Sequence, residues 1–289
     1  FVEAHVNVHI HEGTRSEYVG ALDQHILPKL GEIRLKDLHL RDLNQLQAKL
    51  CSLRSKKARG EGGSLAPTTI NYLTSLVRHV VKWAIKNSYL SVDPLANFKK
   101  LKEPKRMPTF WTIEERDEFL VRIRDPEVVL ARDPKEHIQS MEIFEIALYT
   151  GMRRGEILGL KRDCVDLERR IIKVCRTYDV NSRKLYETTK STRDREIPMH
   201  ERVYEILRLK KNKPADCLIF DIGYPGWING FKELCKRAKV KPVRFHDLRH
   251  SFAAILVSNG VPLAVIQELL GHSKIETTMV YAHLVPGVV

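Results

Sequence analysis

Two apolar stripes at helical spacing constrain what this chain can fold into before any other feature does. Leu40, Leu43, Leu46, Leu50 and Leu53 recur every three or four residues, and Ile70, Leu73, Val77, Val80, Val81 and Ala84 do the same after the glycine-rich stretch "ARGEGGSLAP". A half-buried strand needs strict alternation, so each stripe predicts a helix with one face in a core. Pro67 suits the first turn of the second helix, where its missing N–H would find no intrahelical partner anyway. Upstream, Thr14-Arg-Ser-Glu17 has the spacing of a capping box and predicts an amphipathic helix running through Ile26. Residues 1–100 therefore read as a small helical bundle.

The bundle runs out in "FKKLKEPKRMP" (98–108), which holds five basic residues and two prolines without periodicity. Its part from 101 to 108 reads as a basic linker. A second domain, 109–289, opens on another capping-box match, Thr112-Ile-Glu-Glu115, and helical spacing resumes at 140–149. Residues 170–198 change character: "RIIKVCRTY" and "KLYETT" are β-branched and aromatic around the turn-like "DVNSR", and "REIPM" reads as a third short strand. After 200 the pattern is helical again, broken at Gly260-Val-Pro262 and Leu270-Gly271. The fold class is mainly α with a small antiparallel β-sheet.

Charge narrows the partners. The chain carries 49 basic and 36 acidic residues, a net charge of +13. Residues 1–107 hold 18 of the basic and 10 of the acidic side chains, so the shorter N-terminal part carries most of the excess. Such a bias suits a polyanion, although anionic lipid or solubility alone would also accommodate it. No apolar run approaches the ~18 residues of a membrane helix. The five cysteines (Cys51, Cys164, Cys175, Cys217, Cys235) form no C-x-x-C pair and read as reduced thiols of a cytoplasmic protein, most of them buried filler.

In "HDLRH", His246 and His250 stand four apart, the spacing at which zinc hydrolases hold a metal on one helical face. The residue after the first histidine is Asp247, a carbon shorter than the glutamate of that motif. Arg249 between the histidines would also set a positive charge against a dication. No metal site is expected. Phosphodiester chemistry without a metal needs cationic donors on the non-bridging oxygens, an in-line nucleophile and a proton donor for the departing oxygen. Candidates for each are present. Arg153 follows Thr150-Gly151, with Glu156 three residues on to orient its guanidinium; His246 and Arg249 share a face; His272 precedes Tyr281 by nine residues. Taken alone, Arg153–Glu156 is no more than a surface ion pair worth under ~1 kcal/mol. Ser273-Lys-Ile-Glu276 has capping-box spacing and predicts a short helix carrying Tyr281.

The order and wording of these stretches resemble the tyrosine recombinase family, the phage integrases and Xer-type resolution enzymes. Arg153 in "TGMRRGE", His246 and Arg249 in "HDLRH", His272 in "LLGH" and Tyr281 in "TTMVYAH" match the family's Arg, His-x-x-Arg, His and Tyr positions, at intervals of 96 and 32 residues from Arg153 to Arg249 and from Arg249 to Tyr281. "TTKSTRDREIPM" looks like the family's β-hairpin segment, whose lysine corresponds to Lys190. The likeness is specific over about 108–284 and looser over 5–100.

The resemblance implies a site-specific DNA recombinase without cofactors. Tyr281 attacks a DNA phosphate to give a 3′-phosphotyrosyl link; Arg153 and Arg249 clamp its oxygens; Lys190 protonates the leaving 5′-oxygen; His246 helps take the tyrosine proton; His272 donates to a phosphate oxygen. Glu156 and His250 are supporting residues. Residues 1–100 become a SAM-like core-binding DNA domain, closing a clamp on double-stranded DNA with inverted core repeats. Lys56, Lys57, Arg59, Lys99, Lys100, Lys102, Lys105 and Arg106 are candidate DNA contacts. A homotetramer in the synaptic complex, accessory DNA-bending proteins and a nucleoid-associated, cytoplasmic location are implied as well. Eight residues follow Tyr281, where family members carry a segment exchanged between subunits. Two rival readings remain: a type IB topoisomerase-like nicking–closing enzyme, and an inactive DNA-binding regulator.

Overall fold

A computed structural model describes residues 1–10, 12–53, 64–104, 107–129, 134–188, 194–220 and 231–287. The chain divides into two compact units, Phe1–Arg106 and Met107–Val289. In the first, helix α1 (Glu12–Ala21) continues through a π-turn at Leu22–Ile26, and α2 (Leu40–Ser52) and α3 (Pro67–Lys86) follow. The helix already begins at Glu12, so Thr14 lies inside its first turn and is not the cap. Positions i and i+3 face each other within any helix, which is why the capping-box spacing misled. Pro67 does open α3.

Leu43, Leu46 and Leu50 of α2 meet Ile70, Leu73, Leu76, Val77 and Val81 of α3 in one core. Each such side chain removed from water contributes about 1.5–3 kcal/mol. Val80 is only half-buried at the edge of its stripe. Buried Asn71 on α3 donates to the Leu101 carbonyl (2.8 Å) and to Glu103 Oε1 (2.7 Å), and its Oδ1 accepts from the Leu101 N–H (2.9 Å). Residues 101–103 are thereby fastened to the first unit.

The second unit is built on an aromatic cluster of Trp111, Phe119, Phe144, Phe231 and Phe245. Helix α4 (Ile113–Arg122) starts at the capping box read from the sequence: Thr112 Oγ1 accepts from the Glu115 N–H at 3.3 Å, and Glu115 Oε2 accepts from the Thr112 N–H at 2.9 Å. Helix α5 (Pro134–Thr150) begins before the predicted 140. Its buried face includes His137, Ser140 and Glu142, which hide the apolar period. Helix α6 spans Arg154–Leu158.

Among the described residues the β region forms two small antiparallel sheets rather than one. Strands β1 (Val165–Asp166), β2 (Ile171–Val174) and β5 (Arg195–Pro198) pair antiparallel in the order β1-β2-β5, with Ile172 opposite Ile197 and Val174 opposite Arg195. Strands β3 (Thr177–Asp179) and β4 (Lys184–Tyr186) make a separate hairpin around "DVNSR". That hairpin sits backbone-close on α6, because a Cβ at Gly155 would lie 2.8 Å from the Tyr178 carbonyl oxygen and one at Gly159 2.9 Å from the Tyr178 nitrogen.

Among the described residues four α-helices follow: α7 (Glu201–Arg208), α8 (Phe231–Arg237), α9 (Asp247–Ser258) and α10 (Leu263–Leu270). The breaks between them are real, with Gly260 and Gly271 in the left-handed region at φ 78° and 65°. Tyr281 rides on a six-residue 3₁₀ turn, Met279–Leu284, rather than an α-helix. The preceding 3₁₀ turn, Ile275–Thr277, has Lys274 at its N-cap with no side-chain bond, so Ser273 does not cap it. Phe252 and Val257 of α9, Ile266 and Leu270 of α10, and Tyr281 share one small core. Among the cysteines, Cys164 and Cys235 are buried while Cys51 and Cys217 are exposed, so filler describes only part of the set. Cys164 and Cys175 are free thiols with Sγ atoms 3.1 Å apart. Among the described residues no helix is long and apolar enough to cross a membrane.

Candidate active site

The last carbonyls of an α-helix have no intrahelical donor and carry the negative end of its dipole. At the end of α10 they receive three arginines from three other parts of the chain. Arg195, at the start of β5, donates through Nε to the Leu269 carbonyl at 2.8 Å. Arg249, in the first turns of α9, donates to the Leu270 carbonyl and, at 2.7 Å, to the Gly151 carbonyl. Arg153, the N-cap of α6, reaches the Gly271 carbonyl at 3.5 Å. Consecutive carbonyls thus gather guanidinium groups that lie 42 to 96 residues apart in sequence.

Glu156 locks two of them. Its carboxylate accepts from Arg153 at 2.8 Å and from both terminal nitrogens of Arg195, at 3.1 and 2.7 Å, with its side chain 1 % exposed. This is no surface pair. Burial alone would raise the carboxyl pKa, but the Arg195 hydrogen bond and charge, with Arg153, hold it down at about 2. Among the described residues, three guanidinium groups against one carboxylate leave two positive charges in excess, with Arg195 and Glu156 buried and Arg153 at the solvent edge. The strain shows in Arg249, whose pKa is pushed down to about 9 by burial and then by Arg153. Still charged at neutral pH, it is the group an incoming anion would relieve most.

The turn between α5 and α6 makes this geometry possible. Gly151 is left-handed at φ 63°, and a Cβ there would come within 2.8 Å of Leu270 Cδ2. Its carbonyl is therefore free to meet Arg249.

The histidines surround the cluster. His246 is the N-cap of α9, its ring perpendicular to that of His250 with centroids 5.3 Å apart. His246 is exposed as a residue, yet partial desolvation of its ring, then His250 and Arg249, lower its pKa to about 4. His272 shares a 2.9 Å hydrogen bond with Thr278 Oγ1, and burial, then Arg249 and Arg153, bring it also to about 4. Both rings are neutral at pH 7 and have N–H groups to donate. Tyr281 is 1 % exposed, with its pKa raised to about 12 by burial despite the charge of Arg249. The side chain hydrogen-bonded to its hydroxyl is His250, through Nδ1.

Of the predicted site residues, Arg153, Glu156, His246, Arg249, His250, His272 and Tyr281 come together. Lys190 lies outside the described residues, as do Lys56, Lys57, Arg59, Lys105 and Arg106; Lys99, Lys100 and Lys102 are exposed in the first unit. Sequence reading passed over Arg195. One signal was there: in a strand, i and i+2 share a face, which puts Arg195 on the side of buried Ile197.

Residues 127–286 match the phage integrase family. The chain belongs to that family. It is 28 % identical over 234 residues to the tyrosine recombinase XerD of Halalkalibacterium halodurans, a match covering 76 % of this chain and 72 % of that protein. It is 26 % identical over 247 residues to the ICEBs1 integrase of Bacillus subtilis, covering 77 % of this chain and 63 % of that one. Among solved structures, the Tn1549 transposon integrase in complex with circular intermediate DNA superposes with a TM-score of 0.71 at 21 % identity, covering 96 % of this chain and 91 % of that one. The XerH recombinase bound to palindromic difH gives 0.69 at 19 % identity, covering 94 % and 76 %. Both share the fold. This phage integrase family member is a site-specific tyrosine recombinase, an enzyme that cleaves and rejoins DNA; the nicking–closing and inactive-regulator readings are not favoured.

Proposed function

We propose that the arginine cluster at the end of α10 holds the scissile DNA phosphate and that Tyr281 attacks it. The observation that carries this reading is the charge excess: Arg153, Arg195 and Arg249 converge with, among the described residues, Glu156 alone bonded to offset them, and Arg249, Arg195 and Glu156 are largely buried. Such preorganised donors stabilise the charge that develops on the non-bridging oxygens without reorganising during the step. Arg153 and Arg249 are the oxygen clamps, and Arg195 holds Glu156 and the α10 carbonyls in place. His246 and His272, neutral at pH 7, donate to phosphate oxygens.

Tyr281 Oη bonds to phosphorus, the bond to the 5′-oxygen breaks, and Lys190 supplies the proton that oxygen takes. One phosphodiester is exchanged for another, so neither ATP nor a metal enters the chemistry. Rejoining is the same step reversed with a partner strand.

The substrate is double-stranded DNA carrying inverted core repeats, a reading supported by the DNA held by the Tn1549 integrase and XerH. The basic first unit is the core-binding domain, with Lys99, Lys100 and Lys102 of its exposed tail on phosphates and Lys56, Lys57, Arg59, Lys105 and Arg106 as further contacts. Two DNA sites and a homotetramer complete the synapse, with accessory DNA-bending proteins and a cytoplasmic, nucleoid-associated setting. The test is a nicked suicide duplex built from the DNA flanking the gene. Wild-type protein forms an SDS-resistant adduct, and Tyr281→Phe forms none while binding nearly as tightly. An adduct on the Phe variant would remove Tyr281 as the nucleophile.

A further inference from the structure

The family resemblance gives the phenolic proton of Tyr281 to His246, but the ring hydrogen-bonded to that phenol is His250. A phenol whose pKa is raised to about 12 by burial does not ionise by itself at neutral pH, so its proton must leave as the bond to phosphorus forms. A general base has to lie within hydrogen-bond reach of that proton. His246 is across its ring from His250, and His272 is committed at Nδ1 to Thr278 Oγ1. His250 Nδ1 is hydrogen-bonded to Tyr281 Oη, with the two ring centroids 5.9 Å apart.

We infer that His250 is the catalytic base of this enzyme, taking the proton of Tyr281 through Nδ1 during DNA cleavage and returning it during rejoining. The inference rests on the proposed role of Tyr281 as nucleophile. In the forward step the Oη–H bond breaks and the proton moves to Nδ1. The Oη–P bond forms, the P–O5′ bond breaks, and the 5′-oxygen takes its proton from Lys190.

Three features of the fold fit this task. His250 follows Arg249 directly on α9, so the base and one phosphate clamp are placed by the same two turns of helix. Tyr281 is fixed by its packing with Phe252 and Leu270 and by a 3.1 Å bond from its N–H to the Thr278 carbonyl, so the phenol is presented to the ring and not merely near it. Buried Asp247, held as a carboxylate by Arg244 at 2.7 Å, sets a negative charge beside the imidazolium that forms. Burial, together with Arg244 and Arg249 and against the pull of Asp247, keeps the His250 pKa below its ordinary value, so its lone pair is available at pH 7.

The experiment measures the single-turnover rate of SDS-resistant adduct formation on the nicked duplex built from the DNA flanking the gene. His250→Ala is expected to slow it about 10²–10⁴-fold, the range of general-base catalysis. His250→Asn places an amide oxygen near the Nδ1 position, where it accepts the hydrogen bond but not the proton, and is expected to be as slow as Ala. Replacing Tyr281 with 3-fluorotyrosine, a more acidic phenol, is expected to shrink the His250→Ala deficit by about tenfold, following Brønsted behaviour. A 5′-bridging phosphorothiolate, whose leaving group needs no proton, should leave that deficit intact while relieving Lys190→Ala.

Recovery of the wild-type rate in His250→Asn would reduce His250 to a positioning residue and overturn the inference. So would a His250→Ala protein that reacts at the wild-type rate, or a deficit that fluorotyrosine leaves unchanged. Thermal melts of both variants exclude unfolding as the cause of a loss. If wild-type protein forms no adduct, or Tyr281→Phe forms one, the recombinase chemistry fails and not the base assignment alone.

Discussion

The two units use charge in opposite ways. In the first, the core is purely aliphatic between α2 and α3 apart from Asn71 and Thr74, and basic side chains such as Lys99, Lys100 and Lys102 stand in water. In the second, Arg249, Glu156 and Asp247 are 3 %, 2 % and 2 % exposed; Arg249 is tied to the Gly151 and Leu270 carbonyls, Glu156 to Arg153 and Arg195, and Asp247 to Arg244. Exposed charges act as a screened sum, each replaceable by its neighbour. Desolvated charges act one by one, because removing any of them strands its partners. The contrast teaches where each substitution should be felt, and it can be broken.

The largest effect belongs to Arg249. Arg249→Ala removes a proposed phosphate clamp and takes from the Gly151 and Leu270 carbonyls the guanidinium donors they accept from. The expected loss in adduct formation is on the order of 10³-fold or more. Arg249→Lys keeps the charge but not the planar fork that spans both carbonyls, so it should recover little. If Lys restored the rate to within about tenfold, the site would be reading charge alone, as proposed for the first unit, and the contrast would fail.

Acid sharpens the comparison at intermediate size. His246 and His272 have folded pKa values of about 4, below the ordinary 6.5, so unfolded chain binds their protons first. Their contribution is present in full above pH 6.5 and is lost as pH falls toward 4. Glu156, at about 2 against 4.5, adds a loss between those values in the same direction. The second unit should therefore melt at progressively lower temperature from pH 7 to pH 4, followed by circular dichroism. Saturating DNA should oppose the shift, because a bound phosphate relieves the crowded guanidinium groups. A flat profile would mean that these rings are solvated.

How much of this was legible depends on the range of the interaction. Stripes in α2 and α3, the Thr112 cap of α4 and the glycine breaks around α10 are decided by residues within a turn of each other, and sequence reading found them. The same local logic produced two false caps, at Thr14 and Ser273, since i, i+3 spacing is necessary for a capping box but not sufficient. Strand β1 is two residues long and leaves no periodic signal. The site residues were legible through wording, by resemblance, and not through geometry. Nothing local reveals that Arg195 closes on Glu156 from 39 residues away, or that the ring meeting Tyr281 is His250 and not His246. Both are tertiary facts, set when α9, α10 and β5 pack.

The smallest effect tests the other half of the contrast. Lys100 is exposed in the tail of the first unit, where the sequence packs Lys99, Lys100 and Lys102 into four positions. A phosphate contact made there releases condensed counterions, and its worth is set by salt and not by geometry. Lys100→Ala should weaken DNA binding a few-fold, equally on specific and unrelated duplexes, and reduce the slope of log affinity against log salt by about 1. The rate of adduct formation at saturating DNA should not change, because no group near the phosphate clamps has moved. A change in that rate with an unaltered salt slope would mean that this lysine acts as Arg249 does, through a fixed contact. The division of labour between a diffuse unit and an interlocked one would then have to be redrawn.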